Sequence, residues 1–485
     1  MLWLHIQNSD FKNQIEYAFM NIFFMAGLEF KVLSHIEDER LKHDDIIIDY
    51  GYRVSDFQQS GCRNVIFIKQ CGRLFGKNYM DILSIPENVR HYNGHLSIFS
   101  EDCELYINED YTAGIIETNM DIVSDIFFML TRYEEVINFE ASRKERFNRF
   151  PAAESFAFKN GFLHRPVVNE HADLLWSFIE RFNLGYKKKK WWGDKKFAAC
   201  LTHDVDDVLK YNTIGVLLRS SAGLFIKHKK PIAAIKILAG RSGGYRRDPY
   251  YTFDYIIDLE KSYNFKSSFY FMTGGSSEFD NFYNVHDAKV VKLIQKIENE
   301  GFEAGYHGSF NSYSHEEALV TEKKELDSII KEMPYGCRQH FLRFSAPSTW
   351  RIQSKAGFLY DTTLGFADAE GFRCGTCFPF KPYDIVENRL LEIWEIPLIV
   401  MEQTLKGKDY RAYTPEQGMD VSKKLISTVK KHNGVFVLLY HNTSFDCTDE
   451  LLDGWTEAYE ETMRCLYEND CLATSGREII KLITE

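Results

Sequence analysis

The chain has 485 residues, 45% of them hydrophobic and 15% aromatic, and a formal net charge of −12. That length exceeds one ordinary core and fits two domains, while the apolar share excludes a disordered chain. The acidic balance excludes a general affinity for nucleic acid or anionic membrane, which needs a surplus of clustered Lys and Arg.

Residues 1–190 read as an N-terminal α/β domain. The opening residues, Met1 to Gln14, lack the basic start and sustained apolar core of a secretory signal. No apolar run approaches the ~20 residues that cross a bilayer. A cytoplasmic protein without an integral membrane segment is therefore expected. The runs from Asp45 to Asp49 and from Asn64 to Ile68 are apolar and β-branched between polar turns, as buried strands are. From Met120 to Val136 the apolar residues are spaced like a helix packed on a sheet. At its end, Arg132 and Glu135 are expected to make structural ion pairs or an interdomain contact. The run from Lys187 to Lys190 reads as a solvated linker. No glycine-rich phosphate loop or metal-ligand spacing assigns a reaction to this half.

A second domain, residues 196–485, opens on the strand-like run from Phe197 to Leu201. From about 208 to 250 lies a Lys- and Gly-rich insertion read as helical, including Ile232 to Ala239. Helix and strand signals then alternate: Phe253 to Tyr263 as helix, Lys266 to Met272 as strand, Lys289 to Asn299 as helix and Phe302 to Tyr306 as strand. This alternation predicts parallel strands joined by helices, in a barrel or an open doubly wound sheet. In such folds functional residues gather at the carboxyl ends of strands. The ten cysteines show no framework spacing and read as reduced thiols; the lone pair Cys374 and Cys377 is weak evidence for a metal or redox site.

The chemistry concentrates where the first strand of that domain ends. Asp204 and Asp206, two apart in extended backbone, point to one side. Two like charges brought together need a cation or a proton between them, which suits a hydrolytic metal site. The alternative is a turn whose Asp residues cap a following helix. His203 faces the other side and reads as structural. Further on come His307 with Asn311, then Arg338, His340 and Arg343, then Tyr360, Asp361, Asp368 and Arg373, and finally a strand from Val435 to Leu439 that leads into His441.

In that joint order the motifs resemble the polysaccharide deacetylases with a NodB-homology domain, carbohydrate esterase family 4, over roughly residues 197–485. The resemblance implies a distorted (β/α) barrel, here preceded by the smaller N-terminal α/β domain, and a divalent-metal enzyme that removes acyl groups from sugars. It implies Asp204 as base and Asp206 as metal ligand. His307-Gly-Ser-Phe-Asn311 is similar to the second motif, Arg343-Phe-Ser-Ala-Pro347 to the third, and Leu439-Tyr-His441 to the last. The family usually carries a second His where this chain has Asn311. The divalent ion the resemblance implies is zinc; a neutral amide ligand would weaken zinc and admit harder ions, which leaves cobalt or manganese as alternatives.

On that resemblance His441 protonates the departing amine, Arg343 orients Asp204 and Leu439 lines the acyl pocket. Arg338 and His340 rival Arg343 for the third-motif roles. Tyr360, Arg373, Trp350, Asp361 and Asp368 are expected near the substrate, because sugars bind through aromatic faces and bidentate polar contacts. The expected function is a metal-dependent hydrolase that removes an N-acetyl or other acyl group from a sugar or polysaccharide precursor. The alternative, motivated by Asn311, is a non-catalytic carbohydrate-binding or scaffolding protein on a degenerate barrel.

Overall fold

The computed structural model describes every residue except 36–39, 56, 58–61, 101–103, 111–113, 227–243 and 281–282. The expected helix from Ile232 to Ala239 lies outside the described residues. The chain divides into two units, Met1–Asp194 with Ser345–Arg351 and Gly371–Pro397, and Lys195–Phe344 with Ile352–Glu370 and Leu398–Glu485. Two stretches of the second half thus group with the N-terminal part.

In the first unit six strands form one sheet: β1 (Leu2–Ile6), β2 (Phe30–Leu33), β3 (Ile46–Gly51), β4 (Asn64–Lys69), β5 (Ile107–Asp110) and β6 (Ile115–Thr118). Their order is β2-β1-β3-β4-β6-β5, parallel except for the β5–β6 pair. Leu4, Ile48, Ile66 and Ile116 stand in register across four strands and are all buried, which is the β-branched, two-sided burial that the sequence runs require. Helix α1 (Lys12–Ala26) stops at Gly27, whose φ of 67° suits a residue without Cβ.

The expected single helix from Met120 to Val136 is broken. Helix α2 (Ile122–Leu130) ends at Thr131, and Arg132 takes a φ of 53° before a short helix, Tyr133–Ile137. The break turns the Arg132 guanidinium onto Glu134 and Glu135, both at 2.9 Å. Arg373 reaches the same Glu135 with two bonds, 2.9 and 2.7 Å. Burial alone would raise the Glu135 carboxyl, but Arg373 and Arg132 together hold it below its ordinary value. These groups are at most 6% exposed, so each charge depends on its partners.

The second unit is built on a parallel sheet with β7 (Phe197–Val205) at its centre. Around it stand β8 (Ser268–Met272), β9 (Glu303–Gly308), β10 (Cys337–Gln339), β11 (Tyr360–Asp361), β12 (Val400–Met401), β13 (Val435–Leu439) and β14 (Cys471–Thr474). The order runs β11-β10-β9-β8-β7-β13-β12, and β14 pairs with the first half of β7. All nine residues of β7 are buried, and both of its edges are paired, by β14 and then β8 on one side and by β13 on the other. The helices α3 (Ile214–Ile226), α4 (Phe253–Ser262) and α5 (Ala288–Asn299) follow in the chain. The last two match the expected segments within a residue or two, as amphipathic periodicity allows.

Arg373→Ala should lower the unfolding free energy by roughly 3–5 kcal/mol, the scale for stranding one member of a buried ion pair. Urea denaturation measures it, and an unchanged midpoint would show that Arg373 has no structural load.

Candidate metal centre

Parallel strands all end on the same side, and the second unit uses that side. Asp204 and Asp206 leave the end of β7, His307 stands on β9, Arg338 and His340 close β10, Glu402 follows β12 and His441 follows β13. His307 Nε2 is 3.2 Å from Asp206 Oδ1 and 3.7 Å from Asp204 Oδ2. His340 Nδ1 lies 3.1 Å from His307 Nε2 and 3.5 Å from Asp206 Oδ1. Among the described residues, Asp206, His307 and His340 are the group of His, Cys, Asp and Glu side chains able to hold one metal ion.

The back sides of the two rings decide their chemistry. His307 Nδ1 meets the carbonyl oxygen of Arg338 at 3.1 Å, and His340 Nε2 meets that of Phe279 at 2.8 Å. A carbonyl can only accept, so each of those nitrogens carries the proton. The inward nitrogens, His307 Nε2 and His340 Nδ1, then offer lone pairs toward Asp206, whose buried Oδ1 has no hydrogen bond. Three acceptors aimed at one point are unfavourable unless a cation or proton lies among them. Metal–ligand bonds of ~2.0 Å at tetrahedral angles separate ligand atoms by about 3.3 Å. The observed 3.1, 3.2 and 3.5 Å fit a divalent ion without rearrangement.

Without an ion, protons answer the same field. Burial would lower His307, but the Asp204 and Asp206 carboxylates raise it above its ordinary value. His340 is pushed down to about 4, first by burial, against the pull of Asp206 and with His307 adding to the fall. Confinement would raise Asp206, yet His340, His307 and His441 hold it far below the usual carboxylate range. Asp206 keeps 32% of its side chain exposed, so the cluster is reachable from solvent.

Two further groups are oriented from behind. Arg338 donates through Nε and Nη2 to the carbonyl and hydroxyl of Thr362, at 3.0 and 3.2 Å, and its Nη1 stands 3.5 Å from Asp204 Oδ1. His441 Nδ1 is 2.8 Å from Glu402 Oε1 and its Nε2 is 3.7 Å from Asp206 Oδ2. Glu402 Oε1 also accepts from the His441 backbone N–H and from Ser444 Oγ, at 3.1 and 2.5 Å. Burial would lower His441, but Glu402 lifts it to about 9. Glu402 itself is drawn down to about 2, against its burial, by His441 and Lys406.

Several expected residues stand elsewhere. The guanidinium against Asp204 is that of Arg338. Arg343 instead packs on the rings of Phe310 and Tyr313 and donates to Asn311 Oδ1 at 3.0 Å and to Tyr313 Oη at 3.1 Å. Asn311 is exposed and its amide oxygen is taken by Arg343; His340 completes the cluster in its place. A side chain four residues after His307 would share its face only on an α-helix, and Ser312–Ser314 forms a 3₁₀ turn instead. Tyr360 is fully buried, with its hydroxyl 2.9 Å from both Glu303 and Tyr270. Asp361 accepts from Gln353 and Thr363, and Leu439 is a buried sheet residue. Trp350 and Arg373 belong to the first unit, where Trp350 donates to Glu395 at 2.8 Å. His203 bridges the Tyr440 carbonyl and Glu260 from the opposite face of β7. Glu402 carried no sequence signal, since it lies 39 residues from His441 outside any motif.

Residues 4–183 match the model of DUF7033, a family of unknown function. No curated protein matches the chain. Among solved structures, one from Mycobacterium smegmatis, provisionally assigned as a polysaccharide deacetylase, aligns over 60% of this chain and 92% of its own. The identity is 17% and the TM-score 0.40.

His340→Ala should weaken zinc binding by about 100-fold or more, while Asn311→Ala should leave it within about twofold. Because an ion must displace the proton that the carboxylates place on His307, affinity should fall as pH drops. Competition with a chromophoric chelator at several pH values reads both; an Asn311 effect as large as that of His340 would overturn the ligand set.

Proposed function

We propose that the protein is a metal-dependent hydrolase that removes an acyl group, an N-acetyl group in the first instance, from a sugar. The observation that carries this reading is the convergence of His307 Nε2, His340 Nδ1 and Asp206 Oδ1, beside a second carboxylate, Asp204, and a second proton-bearing group, His441. The open parallel sheet is read as the distorted (β/α) barrel of the NodB-homology type.

Asp206, His307 and His340 would hold the ion, with zinc first among the choices because two imidazoles and one carboxylate suit a borderline metal. When bound, such an ion supplies Lewis-acid polarisation of the acyl carbonyl and acidification of water. Asp204, whose Oδ2 faces the cluster at 3.7 Å from His307 Nε2, takes the proton of the attacking water. Arg338 holds Asp204 in place and compensates its charge in a buried setting. His441 carries the proton that the departing amine needs, since an amine cannot leave as an anion near neutral pH. Glu402 accepts the Nδ1 proton of His441, so that the proton the imidazolium can give up is the one on Nε2, facing the cluster.

The alternative of a degenerate binding protein is motivated by Asn311, and the proposed ligand set of Asp206, His307 and His340 does not call on that residue.

Asp204→Asn should cut turnover of an N-acetylated amino-sugar substrate by about 10²–10⁴-fold while leaving bound metal unchanged. His441 must be protonated to act as acid, so activity should fall as pH rises through about 9. Glu402→Gln removes the charge that raises His441 and should move that alkaline limb to lower pH. A pH–rate profile unmoved by Glu402→Gln, or an Asp204→Asn enzyme with full turnover, would count against these roles.

A further inference from the structure

Helix α3 begins eight residues beyond Asp206 and is unlike the other helices of its unit. Thr213 starts it, with its hydroxyl accepting from Val216 N at 3.2 Å and its carbonyl from Leu217 N at 3.1 Å. Leu217 and Ser221, one turn apart, are buried at 5% exposure each and seat the helix on the unit. Beside that seated edge, Ile214, Leu218 and Phe225 fall on one stripe at helical spacing and are 64, 55 and 59% exposed; Ile226, at 75%, extends it. Apolar side chains this exposed on a 13-residue helix have not been removed from water by the described residues.

The charge around the helix says what chemistry would cover it. From Val208 to Arg247 the sequence holds nine Lys and Arg and no Asp or Glu, in a chain whose net charge is −12. Arg219 on the helix and Arg246 and Arg247 beyond it are exposed. The overall charge excludes a general affinity for anionic surfaces, but this stretch is a local exception to it. Nucleic acid would use the cations and leave the Ile, Leu and Phe stripe in water. A membrane interface uses both, with acyl chains for the stripe and anionic headgroups for the Lys and Arg. A cavity of about 240 Å³, lined among others by Asp207, Asn212, Thr213, Asp287 and Lys289, lies between the residue after Asp206 and the first turn of α3.

We propose that α3 lies in the plane of an anionic membrane surface, with the Ile214, Leu218 and Phe225 stripe among the acyl chains and Arg219, Arg246 and Arg247 at the headgroups. In terms of function, and resting on the hydrolase reading, this makes a membrane-held acylated glycan the substrate presented to the carboxyl ends of the sheet. The association is peripheral: among the described residues no helix is long and apolar enough to cross a membrane.

The test is co-sedimentation of the full chain with phosphatidylcholine vesicles, with and without phosphatidylglycerol, at low and high salt. Binding should be at least about tenfold tighter with the anionic lipid and should weaken with salt. The double variant Leu218→Ser/Phe225→Ser, at exposed positions that the fold does not need, should reduce partitioning about tenfold. Arg246→Glu/Arg247→Glu should also reduce it and flatten the salt dependence. The proposal is overturned if the protein stays in the supernatant with anionic vesicles, or if the Leu218→Ser/Phe225→Ser variant binds as well as the parent. It is equally overturned if the stripe instead drives a dimer that this variant dissolves, which would assign the face to a second copy. Turnover of a soluble acylated sugar is followed in parallel, so failure of the hydrolase reading and failure of membrane docking are separately visible.

Discussion

Two backbone carbonyls, those of Arg338 and Phe279, hold the outer nitrogens of His307 and His340, and by doing so they leave both inner nitrogens unprotonated. Lone pairs from two rings and a carboxylate oxygen then converge within about one coordination radius of a common point. Nothing in the sheet's hydrogen bonding asks for this. The arrangement is stable only with a positive charge at that point, a proton on His307 or an ion held by all three groups. The neighbouring groups Asp204, Arg338, His441 and Glu402 are arranged around that point.

The support is paid in backbone conformation. Phe341 and Leu342, directly after His340, both adopt left-handed φ, 59° and 54°. Non-glycine residues in that region cost of order 1–3 kcal/mol each, and such strain persists where surrounding structure imposes it. Here the turn lies between His340, which faces the cluster, and Arg343, which is packed on Phe310 and Tyr313. One strained corner therefore separates a proposed ligand from a packing cation three residues later. Glu402 and Arg338 act on the same plan from other strands. Each engages its partner through side-chain hydrogen bonds fixed elsewhere, Glu402 at Ser444 and Arg338 at Thr362. The site is thus preorganised by strand ends rather than by one mobile loop.

The first unit uses comparable groups for another purpose. Arg132, Glu134, Glu135 and Arg373 form a buried charge network in which Glu135 is shared by two guanidinium groups. Arg–carboxylate pairs recognise ligands at exposed sites, and the same geometry holds a fold together when every member is internal. Burial separates the two uses, and burial is not written in residue type. Arg373 looks like a substrate clamp in sequence and is a structural tie in space.

The sequence by itself determined the parallel α/β architecture and the end of β7 as the candidate site. β-branched runs such as Ile46 to Ile48 specify buried strands, and the two-residue spacing of Asp204 and Asp206 puts both on one side of extended backbone wherever that strand goes. It also contained His307 and His441 at strand ends, since a strand that stops at a polar residue is a local pattern. What only the tertiary structure decided is which partners meet there. Asn311 and His340 compete for one position, and the choice turns on a 3₁₀ turn after Ser309 and on the β9–β10 pairing that sets His307 opposite Arg338. Arg338 rather than Arg343 reaches Asp204, and Glu402 reaches His441 across 39 residues of chain, because the order of strands in a sheet differs from their order in the sequence. Local spacing fixes the direction of a side chain from its own strand. The distance between side chains on different strands is fixed by packing, and a coordination site consists of such distances.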